Sequence, residues 1–254
     1  MSRLLLLLAL ALCGCNPARG VPIFLWHAVG RGCSGGVYDL PDEEFDRELS
    51  DLESYGATPI TLKQLFDARD GKATLPARPV ILTFDDGRRC QLTHVLPLLE
   101  KHKMVAETFV VTTFLGDDDA HRYIEHDAHG DHAYLTWPEL VQMEKSGRFV
   151  AESHGVTHER LSAATRDAQL AQLQNSKELL AQRLGHPIEF FSYPFGSFTS
   201  ETRDLAEQAG YRAAVSVQKG LSTRYGLKRV SLGAGNERDL QRALHDAFGA
   251  PLHP

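Results

Sequence analysis

The sequence predicts a single α/β domain in which a parallel sheet, covered by helices, closes into a barrel. Two observations carry this. From residue 21 onward, short apolar runs alternate with amphipathic stretches of helical period, the pattern of parallel strands joined by crossover helices. About seven substantial strands are present, a number that favours a barrel over an open sheet, and no Pro or Gly/Ser linker marks a second domain in the 254 residues.

The elements follow in order. "VPIFLWHAV" (21–29) reads as one buried strand. "PDEEFDRELSDLESYG" (41–56) reads as a helix: Pro41 stands at its start, acids fill its first turn, Phe45, Leu49 and Leu52 share a face, and Gly56 stops it. "VILTF" (80–84) and "AETFVVT" (106–112) are strands separated by the helical "VLPLLEKHK". Thr136, three residues before Glu139, is a capping-box signature for a helix running to Gly147. "RFVAES" (148–153) returns to strand, and the longest helix covers 162–185, with Leu170, Leu173, Leu180 and Leu184 at helical spacing. "IEFFSY" (188–193) is a strand and 200–210 a helix. "YRAAVSV" (211–217) and "LKRVSL" (227–232) are strands before a last helix ending near Gly249.

Composition narrows the function classes. With 43% hydrophobic and 24% charged residues the chain is an ordinary globular one. A net charge of -6, with no basic stripe, excludes nucleic acid as an expected partner. At the N-terminus, Arg3 precedes an apolar run too short for a comfortable membrane span but suited to the h-region of a secretory signal. Its end, "LCGC" (12–15), resembles the lipobox of bacterial lipoproteins, in which Cys15 becomes the acylated first residue. Residues 1–20 are therefore expected to be a signal and lipoprotein anchor region, and 21–254 the functional body, exported to a periplasm or cell surface. An uncleaved anchor or a plain signal cut near Gly20 are the alternatives. In an oxidising compartment Cys33 and Cys90 can pair, but sequence does not fix their separation in space.

Barrel active sites sit at the C-terminal strand ends. The chemically suggestive residues fall there: His27 late in its strand, Asp85 and Asp86 after "VILTF", "SHGVTH" after "RFVAE", and "YPFG" after "IEFFS". Two adjacent buried carboxylates raise each other's pKa unless a cation compensates, so Asp85 and Asp86 imply a metal or a shared proton. Alternatively, one of them merely caps a helix. Both can reach one site only if the strand ends between them, with Gly87 supplying the turn. His154 and His158, four apart, face one side if they lie on a helical turn, and one aspartate then completes a two-histidine, one-carboxylate set. That donor set suits zinc foremost, with cobalt, nickel and iron as alternatives. The stretch 116–133 carries four histidines without ligand spacing and reads as a solvated loop over the barrel mouth, a second metal site being the alternative. His27 has a core role as its alternative.

"TFDDG", "SHGVTH" and "SYPFG", in this order, resemble the polysaccharide deacetylases of carbohydrate esterase family four. The similarity spans roughly 21–235 and includes "LWHAV", which is similar to a motif of the subgroup acting on poly-β-1,6-N-acetylglucosamine of biofilms. The resemblance implies a distorted (β/α)7 barrel and metal-dependent removal of N-acetyl groups from a biofilm or cell-wall glycan. It implies Asp85 as general base, His27 as general acid, and Asp86, His154 and His158 as metal ligands. The Tyr193, Pro194, Phe195, Gly196 turn would wall the substrate site, with the Phe195 N–H holding an oxyanion and Tyr193, Phe195 or Trp137 stacking on sugars. Phe191 stands where many members carry an arginine that orients the base, so Arg229 is the candidate replacement. Gly155 and Arg88 also depart from the family pattern. A monomer anchored to a membrane and acting on an N-acetylated polysaccharide is expected; a catalytically silent glycan- or metal-binding lipoprotein is the alternative.

Overall fold

The computed structural model describes residues 20–33, 39–127, 130–217, 223–233 and 237–252. Cys15 lies outside the described residues. The main sheet holds β1 (Ile23–Trp26), β2 (Thr58–Pro59), β3 (Pro79–Phe84), β4 (Ala106–Val110), β5 (Phe149–Ser153), β6 (Phe190–Ser192), β7 (Ala213–Ser216), β8 (Tyr225–Lys228) and β9 (Val230–Ser231). All neighbours run parallel, in the order β8-β7-β6-β5-β4-β3-β1-β9, with β2 beside the start of β3.

β8 and β9 are one segment serving both edges. Its first half pairs with β7 and its second half with β1, and the break falls at Arg229. The Arg229 N–H donates to Ser216 O at 2.9 Å and the Leu232 N–H to Leu25 O at 2.8 Å. The sheet thus comes round nearly to itself, and the expected barrel is present with its last strand split rather than continuous.

The helices are α1 (Asp42–Ser54), α2 (Leu62–Arg69), α3 (Leu96–Lys101), α4 (Trp137–Lys145), α5 (Arg166–Leu184), α6 (Ser200–Gln208) and α7 (Glu237–Phe248). Their ends follow local chemistry. Thr136 accepts from the Glu139 N–H while the Glu139 carboxylate accepts from the Thr136 N–H, the capping box expected from sequence. Thr61 with Gln64 makes a second one on α2.

Two apolar layers result. Outside the sheet, Trp26, Phe45, Leu49, Leu52, Phe84 and Phe149 pack under the helices. Inside it, Ile23, Ile81, Phe109, Phe190 and Val215 fill the barrel, and Leu62, Leu65 and Phe66 of α2 plug one end. Each such side chain contributes about 1.5–3 kcal/mol by leaving water. The plug sits beside the start of β3, at the end opposite the C-terminal strand ends.

Two segments differ from expectation. The strand from 21 ends at Trp26, and Ala28–Val29 instead pairs with Asp39–Leu40 in a small separate ribbon, so His27 sits at the bend. The stretch 116–133 is not an irregular loop: it contains a 3-10 turn, Asp119–His121, and an antiparallel hairpin of Ile124–Asp127 with Gly130–Ala133. Cross-strand pairing satisfies the backbone groups that a bare loop would leave to water. Among the described residues no helix is long and apolar enough to cross a membrane. Cys33 and Cys90 are disulfide-bonded, their Cα atoms 6.1 Å apart, tying the segment after His27 to the segment after Asp86.

Candidate metal centre and catalytic cleft

β3 ends at Phe84, and the chain then turns sharply. Asp86 has φ +74° and Gly87 φ +78°. A Cβ at Gly87 would lie 2.9 Å from Val110 Cγ1, so both the backbone angle and the close approach demand glycine. This turn ends the strand between the two aspartates and lets both carboxylates enter one cleft. The Gln91 amide donates to the Asp85 carbonyl at 2.8 Å and accepts from Thr108 at 2.6 Å, pinning the turn from below.

Asp86 Oδ1 lies 3.6 Å from His154 Nε2 and 3.5 Å from His158 Nε2. One ligand atom from each of the three residues falls within 4.8 Å of the others. His154 donates from Nδ1 to the Ser192 carbonyl at 2.8 Å, which fixes the tautomer and leaves Nε2 as the free lone pair facing Asp86. Burial first, then the neighbouring His154, pushes the His158 imidazole down to about 4, so it is neutral at pH 7. Two imidazole nitrogens and a carboxylate oxygen at these separations fit a divalent ion.

The two histidines converge without the helical turn expected from their spacing. Residues 154–158 form a loop in which Gly155 has φ +88° and His158 φ +55°. Gln172 of α5 shapes it, its Oε1 accepting from Val156 N at 2.7 Å and Thr157 N at 3.1 Å while its amide donates to Thr157 Oγ1 at 2.6 Å. Of the five non-glycine residues with positive φ among those described, Asp86, His158 and Phe195 are at this site. Backbone strain of this kind concentrates where geometry is functional.

Asp85 occupies a different environment from Asp86. Arg229 meets it with two parallel bonds, Nη1 to Oδ1 at 2.8 Å and Nη2 to Oδ2 at 2.6 Å. Ser192 accepts from Arg229 at 2.8 Å and donates to Asp85 Oδ2 at 3.1 Å. Arg229 also donates to Thr83 at 3.3 Å and is 3% exposed. Burial alone would raise the Asp85 carboxyl, but the Arg229 guanidinium, then His154, outweighs it and holds the group well below the usual carboxylate range. Asp86 is likewise lowered: burial raises it, and His27, His154, His158 and Arg88 together outweigh that. His27 and His154 act on both aspartates, with Arg229 added at Asp85 and His158 and Arg88 at Asp86.

The cleft has a volume of about 710 Å³ and is lined by His27, Asp85, Asp86, His154, His158, Phe195, Gly196 and Arg229, so most residues singled out in sequence meet there. Tyr193 only edges it. Its ring is 1% exposed, stacked on Phe198 at 4.6 Å, with its hydroxyl donating to the Tyr225 carbonyl at 3.1 Å. A ring buried among aromatics cannot stack on a sugar. Trp137 is also buried, at the start of α4 under Arg183, so it plays the structural role. Pro194 is buried in the turn, whereas Phe195 is 51% exposed, its ring 4.5 Å from His158 and capped by Arg160 at 4.3 Å.

Sequence reasoning missed Gln91, Gln172, Ser192 and Glu125. The last accepts from Arg88 at 3.2 Å and from Tyr134 at 2.8 Å, while Arg88 lies 3.6 Å from Asp86. Ser192 opens the quoted "SYPFG" stretch but acts through Arg229 and Asp85, 37 and 107 residues away, and Gln172 acts on residues 15 and 16 positions back, so their roles follow from tertiary contacts.

Comparison with known proteins agrees with this geometry. A polysaccharide deacetylase family profile matches residues 72–214. YxkH of Bacillus subtilis, provisionally named a polysaccharide deacetylase, is 28% identical over 226 residues, 87% of this chain and 74% of that protein. The poly-β-1,6-N-acetyl-D-glucosamine N-deacetylase of Staphylococcus aureus is 24% identical over 193 residues, which cover 72% of this chain but only 62% of that enzyme. The structure of the Streptococcus pyogenes deacetylase PplD superposes with a TM-score of 0.75 at 21% identity, over 88% of this chain and 97% of that one, which shows the shared fold. Because the matched region spans more than half of the chain and contains Asp85, Asp86, His154 and His158, the chain belongs to the polysaccharide deacetylase family.

Proposed function

We propose that the protein is a metal-dependent hydrolase that removes N-acetyl groups from an N-acetylglucosamine-containing polysaccharide, either the biofilm β-1,6 polymer or a cell-wall glycan. The observation that carries this reading is the pairing of a three-ligand cluster, Asp86, His154 and His158, with a separate ionised carboxylate, Asp85, beside it. Metal binding alone would not require the second.

When bound, a divalent ion, zinc foremost, supplies Lewis-acid polarisation of the acetyl carbonyl and acidifies the attacking water. Asp86, His154 and His158 hold it. Asp85 removes the proton from the water as its oxygen adds to the acetyl carbon. Held well below the usual carboxylate range, Asp85 is ionised at neutral pH and so able to accept that proton. Arg229 and Ser192 keep the acceptor oxygens oriented. The Phe195 N–H, in its positive-φ turn, is assigned to the developing oxyanion. His27 donates a proton to the amine nitrogen as the C–N bond breaks, releasing acetate and a free glucosamine. The exposed face of Phe195 packs against the sugar.

The test is acetate release from acetylated β-1,6- and β-1,4-linked glucosamine oligomers, with and without chelator. Release abolished by chelator and restored by added zinc is expected. A protein that binds metal stoichiometrically yet releases no acetate from any oligomer would be a silent binder. We infer in addition that the chain is exported and anchored through acylated Cys15. Incorporation of labelled palmitate, lost in Cys15→Ser, is the expected result, and a soluble unmodified wild-type chain would refute it.

A further inference from the structure

We propose that Arg88 is a positioning residue for the metal ligand Asp86, held in place by Glu125, so that the stretch 116–133 supports the metal centre through a carboxylate rather than through its histidines. This rests on the metal site of the deacetylase reading and extends it to the residues that aim one ligand.

The two aspartates of the cleft are held differently. Asp85 is clamped on its oxygens by Arg229 and Ser192. Asp86 divides its oxygens: Oδ1 faces the Nε2 atoms of His158 and His154 at 3.5 and 3.6 Å, and Oδ2 faces Arg88 Nε at 3.6 Å. These separations exceed an ordinary hydrogen bond. The terminal torsion of an aspartate is broad, so its own rotamer does not decide which oxygen meets the imidazoles. A guanidinium, charged at every working pH, beside Oδ2 does decide it and leaves Oδ1 for the ion.

Arg88 is itself fixed on several sides. Its Nη2 donates to Glu125 Oε2 at 3.2 Å, Tyr134 donates its hydroxyl to that same oxygen at 2.8 Å, and the guanidinium carbon lies 5.0 Å from the centre of the Tyr134 ring. Tyr134 is buried and wedged against Phe114 at 4.7 Å, so it forms a rigid backing. The backbones are joined as well. Leu135 N–H donates to Gly87 O and Arg89 N–H to Ala133 O, both at 2.9 Å, which stitches the turn after Asp86 to the segment leaving the hairpin.

Glu125 also offsets charge. An unpaired guanidinium beside a metal ligand would repel a divalent ion, whereas one shared with a second carboxylate adds no net charge. The pair supplies direction without repulsion. The histidines of the stretch take no such part: among the described residues, Asp86, His154 and His158 are the one group with three ligand atoms close enough to hold an ion.

The test measures zinc affinity of the full chain by chelator competition. Arg88→Met should bind zinc about 10- to 100-fold more weakly and Glu125→Ala about tenfold. The double variant should bind no more weakly than Arg88→Met, because Glu125 acts through Arg88. Arg88→Lys keeps a charge beside Oδ2 and should recover part of the loss. The visible spectrum of the cobalt-loaded protein reads the ligand set without turnover, and it should change in Arg88→Met and in Glu125→Ala. The thermal midpoint of the metal-free chain reports folding. Should Arg88→Met fail to fold, Glu125→Ala carries the test, since that side chain is 39% exposed and touches no metal ligand. Zinc affinity unchanged in Arg88→Met and Glu125→Ala, with or without a lower midpoint, assigns both residues a structural role and overturns the proposal. Tighter binding in Arg88→Met also overturns it, because the guanidinium would then only repel the ion, and additive losses in the double variant would overturn the link through Glu125. A wild type that shows the expected affinities yet releases no acetate would count against the deacetylase reading alone.

Discussion

Two pairs of buried carboxyls, one at the mouth of the barrel and one in its interior toward the α2 plug, end in opposite protonation states. At the mouth, Asp85 and Asp86 are 3% and 7% exposed, and both are held below the ordinary carboxylate range by surrounding cations. In the interior, Glu107 and Glu152 are as deeply buried, and among the described residues their hydrogen bonds come from backbone N–H groups alone. Glu107 accepts from the Leu62 N–H at 2.8 Å, at the start of α2, and Glu152 from the N–H groups of Glu189 and Phe190 at 2.9 Å. Burial, weakly opposed by that one backbone bond, pushes Glu107 up to about 8. Burial first, then repulsion from the neighbouring Glu107 carboxyl that ionising both would create, pushes Glu152 well above its usual value. Burial raises all four, and the presence or absence of a cation decides the outcome.

The sharpest way to break this contrast is to remove ionised groups from the mouth. Asp85→Asn should retain metal and lose about two to four orders of magnitude in turnover, while His158→Ala should lose the metal itself. Metal analysis beside acetate release separates them, and loss of metal from Asp85→Asn would mean that the two aspartates have exchanged roles.

Arg229→Met would turn the mouth into a second interior, leaving Asp85 buried without its cation. Breaking a buried pair in this way costs about 3–5 kcal/mol. The urea midpoint should fall accordingly, and the double variant Asp85→Asn/Arg229→Met should recover part of the loss.

A smaller effect concerns the tie across the mouth. The Cys33–Cys90 bridge closes a separation of 57 residues between the segments bearing His27 and Asp86. Cys33→Ser/Cys90→Ser should lower stability by about 2–4 kcal/mol, measured by denaturation.

The interior pair gives the smallest effect, visible only against pH. Because the folded-state pKa of Glu107 lies above the unfolded value, the native state binds more protons between 4.5 and about 8, so stability is full below that window and falls as pH rises through it. Glu107→Gln keeps the acceptor for Leu62 and should flatten that fall, seen as urea midpoints that differ less between about pH 5 and about pH 9.

Much of the molecule was legible in the chain. The order of the longer strands and of every helix but α2 followed from apolar period, and the α4 cap from Thr136 and Glu139; the short β2 and the α2 plug were not read. Asp85, Asp86, His154 and His158 announced themselves by chemistry and by their place after strands. What failed was local geometry over short stretches. The His154–His158 spacing suggested a helical turn where Gly155 and Gln172 build a loop, and Tyr193 looked available to a sugar although its ring is buried against Phe198. A four-residue spacing is compatible with several backbones, and an aromatic side chain carries no mark of which face the fold will cover.

By itself the sequence determined the alternation of elements, the residues able to ligate a metal and the end of the barrel on which they sit, because these depend on period and residue chemistry along a few consecutive positions. Only the tertiary structure decided that Arg229 clamps Asp85 across a sequence separation of 144, that Gln172 shapes the histidine turn, and that Asp85 is ionised while Glu107 holds its proton. Those outcomes depend on which distant charge the closing of the barrel brings within reach. Coulomb interactions follow distance in space, which the order of residues alone does not specify.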